Sequence, residues 1–343
     1  MQKKVLKVGI AGYGVVGKRR RLYIDQNPFL KTVCVSDISL TDDNNLTDDI
    51  EYFNDFKKLY EKDLDVLFVS LPNYLAAEAT IKGLEHGCHV FCEKPPARTV
   101  AEIEKVIEVE QKYPELKLKY GFNHRYHDSV KEAKRIIDSK SFGPVHSIRA
   151  MYGKSSIIPF SGGWRSERRF SGGGILMDQG IHMVDLIRLF SGDYDEIHSF
   201  ISNEYWKHDV EDNAFALLRN KNGQVAMLHS TATQWQHRFR IEIILKNALL
   251  ELTGILSGTK SYGSENLTII ERVSDEPTGS QNKTTKNYLY DNSWKEEIDE
   301  FTDCIINNTP INDGTSEDAL KVMEMIFKIY KADKTWWNKF NNH

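Results

Sequence analysis

Short apolar runs alternate with helical stretches along roughly the first 120 residues, and this alternation is typical of a parallel sheet covered by helices. The predicted strands are residues 5–11, 32–36, 66–70, 89–92 and 118–122. The predicted crossover helices are residues 16–27, 74–86 and 100–113, and the polar stretch 41–49 is predicted to be a surface loop. The pattern therefore predicts a doubly wound α/β domain at the N-terminus.

The pattern changes after residue 122. A helix predicted over residues 129–140 ends at Gly143-Pro144. The segments that follow alternate over longer stretches and predict a second, larger and mostly antiparallel open sheet, formed by residues 145–152, 197–202, 214–219, 225–233 and 239–252. Helices are predicted over residues 294–307 and 316–331, and the second carries an apolar stripe that belongs to the core, namely Ala319, Val322, Met323, Ile326 and Ile329.

This change of pattern predicts two domains, residues 1–124 and 125–343, and leaves open whether the C-terminal helix packs back on the first. The net charge of −4 gives no general attraction to nucleic acid or to an anionic membrane. The apolar run 5–11 is too short and too charged for a signal peptide or a membrane span. Four cysteines without C-x-x-C spacing predict reduced, packed thiols in a cytoplasmic protein, and no metal site is expected because nothing nearby completes one at Cys88 and Cys92.

A glycine-rich turn links the first predicted strand to the first helix. Gly12, Gly14 and Gly17 have the G-x-G-x-x-G spacing, which allows a tight turn, close approach of a pyrophosphate and close helix–strand packing. The helix N-terminus then offers free amides to phosphate groups. We therefore predict that this turn binds a dinucleotide through Gly12, Tyr13, Gly14, Val15 and Val16.

Asp37 lies twenty residues after Gly17, at the end of the second predicted strand. Its carboxylate is placed to accept hydrogen bonds from ribose hydroxyls and to repel a 2′-phosphate, which favours NAD over NADP. Arg19, Arg20 and Arg21 follow the turn on the helix, and the simplest interpretation of them is a solvated basic face.

Two segments follow later predicted strands, where an open α/β sheet has its ligand crevice. Leu71-Pro72-Asn73 follows the third long strand, and Glu93-Lys94-Pro95 follows the fourth. The proline keeps Lys94 extended, and a lysine beside a cationic cofactor can donate a hydrogen bond to a substrate oxygen. Taken alone, Lys94 is better explained as a surface lysine that caps a loop.

Asp178 and His182 are four residues apart and share one face of a predicted helix. With an ordinary pKa of about 6.5, histidine suits a general base at neutral pH, and a nearby carboxylate can stabilise its protonated form. Asp185 is a candidate to brace the helix. Gly172, Gly173 and Gly174 precede the pair and indicate close approach of the backbone to another group.

With these motifs together, the chain resembles the glucose–fructose oxidoreductase, inositol dehydrogenase and MocA (Gfo/Idh/MocA) family over essentially its whole length. The matching motifs are the Gly12–Gly17 turn, Leu71-Pro72-Asn73, Glu93-Lys94-Pro95, Trp164-Arg165, and the segment from Gly172 to Asp185. The resemblance implies an N-terminal Rossmann domain and a C-terminal α/β domain through whose sheet members form dimers or tetramers. One departure is Ala76, where relatives often carry a histidine.

The resemblance also implies roles for individual residues. Lys94, Asp178 and His182 are the implied catalytic residues of an NAD-dependent dehydrogenase that acts on a sugar hydroxyl, with Lys94-Pro95 in the cis form. Further candidate cofactor ligands are Leu71, Pro72, Asn73, Glu93, Asn123, Trp164 and Arg165.

The segment 153–170 is the least family-like and is expected at the mouth of the site. Candidate substrate ligands are Lys94, Arg125, Tyr152, Lys154, Arg165, Arg168, Asp178 and His182, and their cations favour an anionic sugar, such as a nucleotide-linked, phosphorylated or uronic one in surface-polysaccharide synthesis. For Arg168, pairing with a surface carboxylate stays open. The polar turn Gln234-Trp235-Gln236-His237 is a further candidate to reach substrate.

Three other functions stay open on the same residues. The substrate can be a free polyol or inositol. A redox-neutral lyase, epimerase or glycosidase would hold NAD tightly and show no net reduction. A nucleotide-sensing regulator would bind the cofactor without turnover, and the complete set Lys94, Asp178 and His182 counts against it.

Overall fold

The computed structural model describes residues 4–40, 49–157, 162–257, 261–272 and 281–341, so the predicted loop 41–49 lies outside the described residues except for Asp49. The chain forms two compact units. The first comprises Met1–Phe122, Arg169–Gly172 and Trp294–Leu320, and the second comprises Asn123–Arg168, Gly173–Ser293 and Lys321–His343.

The first unit contains the predicted parallel sheet. Its described strands are β1 (Leu6–Ala11), β2 (Leu30–Ser36), β3 (Glu51–Phe53), β4 (Val66–Val69), β5 (His89–Glu93) and β6 (Leu118–Gly121). They pair in parallel in the order β3-β2-β1-β4-β5-β6. Helices α1 (Val15–Ile24), α2 (Asn73–Glu85) and α3 (Val100–Glu110) connect them, with a 3-10 helix at Phe56–Glu61. The strand order reverses at β1 and β4, where sheets of this kind bind ligands beyond the carboxyl ends of their strands.

The second unit contains the larger sheet. Its described strands are β7 (Val145–Ser155), β8 (Glu196–Ser202), β9 (Asn213–Arg219), β10 (Val225–Gln234), β11 (Arg238–Leu245), β12 (Ala248–Thr253), β13 (Glu265–Arg272) and β14 (Gln281–Tyr288). Their order is β14-β13-β12-β11-β7-β10-β9-β8, and every pair except β7 with β10 is antiparallel. Helix α4 (Asp128–Ser139) precedes β7 in the sequence, and α5 (Arg168–Ser171), most of which belongs to the first unit, and α6 (Ile181–Ser191) lie between β7 and β8. The predicted fold class is confirmed.

Three helices end the chain: α7 (Ser293–Ile306), α8 (Ser316–Ala332) and α9 (Lys334–Asn341). Phe301 of α7 joins the core of the first unit, where its ring lies edge-on to Phe68 and Phe91. The apolar stripe predicted on α8 is fully buried, as expected of a core face. Core residues of β1 and β4 are inaccessible on both faces of the sheet, which explains why these strands read as continuous apolar runs.

One face of the second sheet is covered by α4 and α6, and among the described residues the other face is exposed at β8, β9 and β10. On the open side β8, β9 and β10 present large apolar side chains to solvent: Phe200, Phe215, Leu217, Val225 and Met227. We call these five residues the outer face. Phe200 is 79% exposed, so no part of the chain that the structure describes covers it.

The sequence interpretation was wrong for residues 239–252, which form two strands and not one. The break is a turn at Lys246 and Asn247, whose amides donate to Pro144 and Phe142. Apolar residues continue through both strands and hide the turn, although asparagine is a typical turn residue. The strands β3, β13 and β14 and helix α9 were missed.

All four cysteines are buried free thiols, as predicted. Within the described part of the chain, no helix combines the length and apolar character that crossing a membrane requires.

Substitution of two adjacent isoleucines on β11 tests which face of the second sheet packs against the core. Ile243 is fully buried and Ile244 is half-buried on the opposite side. We expect Ile243→Ala to lower the free energy of unfolding by about 2–5 kcal/mol, because it leaves a cavity, and Ile244→Ala to lower it by less than half as much. Urea unfolding of both variants measures this, and equal losses would contradict the assignment of faces.

Candidate active site

The glycine turn has the geometry that a bound pyrophosphate needs. Gly12 has φ of 90°, and a Cβ there would lie 2.4 Å from the Ser70 carbonyl oxygen, so only glycine fits. A Cβ on Gly17 would lie 2.0 Å from the Gly12 carbonyl oxygen. Helix α1 begins at Val15 without a side-chain cap, and Val15 is 80% exposed. The first amides of α1 are therefore open to an anion, which fits the phosphates of a dinucleotide.

Asp37 lies at the same end of the sheet. Its Oδ1 accepts hydrogen bonds from the Ser39 amide at 3.0 Å and from the Ser39 hydroxyl at 2.6 Å. Its Oδ2 faces Gly14, where the nearest atom to an added Cβ would be this oxygen at 3.9 Å. The carboxylate is thus held beside the turn, as the ribose-binding role requires. Tyr13, also a predicted cofactor ligand, accepts a hydrogen bond from Arg21 at 2.9 Å.

The Leu71-Pro72-Asn73 segment leads into α2, with Pro72 at the N-cap. The buried Asn73 side chain donates a 2.7 Å hydrogen bond to the Ser171 carbonyl. Its amide therefore holds the residues that precede the three glycines, a role that the sequence did not indicate.

Lys94 directly follows the last residue of β5, and the Lys94-Pro95 peptide is cis, as the family resemblance implied. The lysine is half-buried at the carboxyl edge of the sheet. Residues at this edge are those that reach a ligand in an open α/β sheet.

Arg20 is fully buried, so the prediction of a solvated basic face was wrong for this residue. Its guanidinium donates to Glu93 at 2.5 Å and to Glu297 of α7 at 2.7 Å. It also lies 4.4 Å and 4.3 Å from the ring centroids of Phe91 and Trp294. Glu93, a predicted cofactor ligand, is thus engaged by the protein itself. Removing one partner of such a buried ion pair typically costs about 3–5 kcal/mol, because the other charge is left uncompensated.

The triad Arg20, Glu93 and Glu297 holds two carboxylates for one guanidinium. Burial raises the pKa of Glu297 to about 7; the charge of Glu93 adds to this shift, and Arg20 and Lys119 oppose it. Among the described residues, Glu297 Oε1 has no hydrogen-bond partner, which is consistent with a carboxyl that carries the proton.

The three glycines that precede α6 approach other parts of the protein. A Cβ on Gly172 would lie 2.4 Å from the Arg98 carbonyl oxygen, and one on Gly173 would lie 2.2 Å from the Tyr330 hydroxyl. A Cβ on Gly174 would lie 2.0 Å from the Glu211 carbonyl oxygen. The predicted close approach is confirmed, and the groups approached belong to the chain.

Glu211 holds this segment in place and was not found from the sequence. Its carboxylate is fully buried and accepts from the Gly174 amide at 2.7 Å, the Leu176 amide at 3.0 Å and the Tyr330 hydroxyl at 2.7 Å. Burial raises the pKa of Glu211, and these hydrogen bonds oppose that shift.

Asp178 and His182 do not lie on one regular α-helix. Residues Leu176–Gly180 form a π-helical turn, and α6 starts only at Ile181. Such turns occur frequently at functional sites. Asp178 Oδ1 lies 4.0 Å from Nε of Arg165, which stacks on the ring of its neighbour Trp164 at 4.2 Å.

His182 is 4% exposed and stacks on His124 with ring centroids 3.6 Å apart. His124 Nε2 lies 3.4 Å from the Tyr152 hydroxyl, and Asn123 Oδ1 lies 3.2 Å from the other ring nitrogen. Burial, followed by the charges of Tyr262 and Asp178, raises the pKa of Tyr152 well above its usual value, so the phenol keeps its proton. His124 connects the general-base candidate to this phenol.

Lys154 lies in the same electrostatic field. Burial lowers its pKa, the charge of Asp178 opposes that shift, and Arg165 adds to it. The charge of Asp178 thus affects the pKa of both Lys154 and Tyr152, and its carboxylate lies 4.0 Å from Arg165.

Two predicted substrate ligands have structural partners. Arg125 is buried and donates to both oxygens of Asp185 at 2.9 Å and 2.6 Å, so the brace on α6 is an ion pair. Arg168 lies 3.7 Å from Asp209 and 4.2 Å from the ring of Phe340. Arg125 therefore braces α6, and the surface pairing left open for Arg168 is present; contact of either arginine with substrate stays a prediction.

Across the described residues, no group of three or more His, Cys, Asp or Glu side chains is arranged to hold a metal ion.

Comparison with known families identifies the family of the chain. Residues 6–122 match the oxidoreductase family with an NAD-binding Rossmann fold, and residues 130–251 match the GFO/IDH/MocA C-terminal domain. The protein is therefore an oxidoreductase with an NAD-binding Rossmann domain. The chain belongs to the Gfo/Idh/MocA family.

Individual relatives agree with this assignment. The uncharacterized oxidoreductase YrbE of Bacillus subtilis (strain 168) is 27% identical over 330 residues, covering 91% of each chain. An inositol 2-dehydrogenase of Salmonella typhimurium is 31% identical over 160 residues, but these cover only 45% of this chain and 48% of that enzyme. Levoglucosan dehydrogenase, solved in complex with NADH, has the same fold, with a TM-score of 0.84 at 20% identity over 96% of this chain and 97% of that chain.

Glu297→Gln tests whether the Glu297 carboxyl is protonated in the folded protein. Between the ordinary glutamate pKa of about 4.3 and the folded value of about 7, the folded chain holds a proton that the unfolded chain has lost. The stability of the native protein should therefore fall with rising pH in that window, by up to about 1.4 kcal/mol per pH unit from this group.

The glutamine variant lacks this titration. We expect the difference in unfolding free energy, native minus variant, to decrease between pH 5 and pH 7 in urea titrations. A difference that stays constant over this range would mean that Glu297 is already ionised.

Proposed function

We propose that this protein is an NAD-dependent dehydrogenase that oxidises a secondary hydroxyl of a sugar. The observation that carries the proposal is the buried His182, stacked on His124 and grouped with Tyr152, in a chain of this family that also has Lys94 at the end of β5. A buried imidazole with an ordered neighbour suits proton transfer.

Each residue has a defined task in this reaction. His182 accepts the proton of the hydroxyl that is oxidised, and Lys94 donates a hydrogen bond to the same oxygen as negative charge develops on it. Asp178 accepts hydrogen bonds from neighbouring hydroxyls and so orients the sugar. The bound nicotinamide supplies the hydride acceptor.

The cofactor ligands that we propose are the turn Gly12–Gly17, Asp37 and the backbone of residues 71–73. Asp37 Oδ2, which faces Gly14, supports NAD over NADP, because a 2′-phosphate would meet a carboxylate there. The side chains of Glu93 and Asn73 already hold protein groups and are left out of this set.

We further propose that the sugar carries an anionic group, as nucleotide-linked, phosphorylated or uronic sugars of surface-polysaccharide synthesis do. Arg125 and Arg168 have partners within the protein, so the support comes from Lys154 and Arg165. The charge of Asp178 acts on Lys154, and Arg165 lies 4.0 Å from its carboxylate. An anionic group of the substrate would bind these two cations in addition to Asp178. The buried free thiols support a reducing compartment, and we propose the cytoplasm.

Mass spectrometry of a sugar panel tests the reaction. Nucleotide-linked, phosphorylated, uronic and free sugars are each incubated with NAD and the protein, with Lys94→Ala and His182→Asn in parallel. We expect one class to lose two hydrogens. Each variant should lower the rate by about 10²–10⁴-fold, because His182→Asn removes the general base and Lys94→Ala removes the donor to the developing negative charge. Lys82→Ala, which removes an exposed lysine paired with Glu85, is the matched control and should keep the rate.

The other outcomes separate the alternatives. Isomerisation or cleavage without net loss of hydrogen would replace the dehydrogenase with a redox-neutral enzyme. Binding of NAD without turnover of any sugar would favour the regulatory function.

We also propose that the chain assembles as a homodimer or homotetramer through the outer face. Its five apolar residues lie on three adjacent strands, and exposed patches of this kind mark protein interfaces. A second copy offers the same patch and permits a symmetric contact.

Leu217→Glu tests this assembly. Leu217 is 53% exposed at the centre of the outer face, and a carboxylate there would be buried without a partner in a dimer. We expect a lower mass by light scattering, whereas Leu289→Glu, an exposed leucine outside the outer face, should leave the mass unchanged. A native mass equal to one chain would end the proposal.

A further inference from the structure

A cavity of about 640 Å³ opens in the second unit, beside the start of β11 and the end of β12. Sites for small molecules typically enclose about 300–1,000 Å³. Six of its lining residues matter here: Gln236, His237, Arg238, Thr253, Ser261 and Tyr262.

Tyr262 is a common wall between this cavity and the group around Asp178. Its ring lies 5.0 Å from that of Tyr152 and 4.6 Å from that of His237, and its hydroxyl donates to Gln179 at 3.3 Å. It is 9% exposed, so it is fixed by packing. Tyr262 therefore contacts both the lining of the cavity and Gln179, the neighbour of Asp178 in the sequence.

His237 presents a neutral hydrogen-bond donor. The Ser155 amide donates to its Nδ1 at 3.0 Å, so the ring proton is on Nε2. Burial lowers the pKa of His237, and the charge of Lys154 lowers it further, which keeps the ring neutral at physiological pH.

The charges in the cavity are few. Arg240 at its edge is held by Glu242 at 2.6 Å and also by Glu251. Arg238 is exposed and has no carboxylate within ion-pair distance among the described residues. One cation beside the hydroxyls of Thr253 and Ser261, an amide and a neutral imidazole suits a ligand rich in hydroxyls and is too little for a diphosphate.

We propose that this cavity is a subsite for a second sugar unit, so that the substrate is a glycoside or an oligosaccharide. The proposal rests on the proposed dehydrogenase function and narrows its substrate class. Contacts to the second unit supply binding energy away from the reacting carbon, and such energy can position the sugar that is oxidised.

Filling the cavity tests this subsite. Thr253→Trp and, from a separate segment, Ser261→Trp place an indole in it, and Thr284→Trp on the exposed strand β14 is the matched control. Dissociation constants of glucose, glucuronic acid, maltose, cellobiose and lactose are measured by saturation-transfer NMR on the full chain. Initial rates of NADH formation are measured with the same sugars.

We expect at least one disaccharide to bind at least tenfold more tightly than the monosaccharides. Either cavity-filling variant should reduce that preference to less than threefold, and Thr284→Trp should keep it. Equal binding of the two sizes by the native protein, or equal effects of Thr253→Trp, Ser261→Trp and Thr284→Trp, would overturn the subsite. Displacement of the disaccharide by UDP would overturn it in favour of a nucleotide pocket.

The two levels of the proposal fail in different ways. If a disaccharide binds with this pattern but no sugar reduces NAD, the subsite stands and the dehydrogenase falls. If sugars are oxidised without regard to size, the dehydrogenase stands and the subsite falls.

Discussion

The ion pairs of the buried Arg20 guanidinium are the interactions on which the segment around Lys94 depends. The guanidinium joins α1, which follows the nucleotide turn, to Glu93, which precedes Lys94, and to Glu297 of the C-terminal segment. A buried charge is tolerated only with its partners in place, so these three parts of the chain must be assembled together. Gly121 leaves the space for them, because a Cβ there would lie 3.0 Å from Glu93 and 3.1 Å from Arg20.

Much of the fold follows from periodicity. The long strands of the first sheet were predicted to within about two residues of their ends, because buried parallel strands give unbroken apolar runs. β14 was missed for the opposite reason, since seven of its eight residues are exposed and polar. The β11–β12 hairpin was missed because both arms are apolar and only Asn247 marks the turn.

The site was predicted in part. Motif residues such as Lys94 and the glycines stand at fixed positions in the sequence and could be named from it. Partners could not be named, because Arg20 with Glu297 and Glu211 with Tyr330 are separated by 277 and 119 residues. A run of three arginines gives no sign that the middle one points inward. Glu211 belongs to no motif, so the sequence likewise gives no sign that it holds the glycine segment.

The end of the chain contributes to this support. Tyr330 of α8 donates a hydrogen bond to Glu211 and lies against Gly173. Phe340 of α9 stacks on Tyr330 with ring centroids 5.4 Å apart, and Arg168 lies over the ring of Phe340. The segments on both sides of the glycines thus rest on the last twenty residues. A chimera with the C-terminal helices of a relative would replace residues that support the glycine segment before Asp178. Substitutions in this C-terminal segment, far from any motif, would therefore change the shape of the site without changing its motif residues.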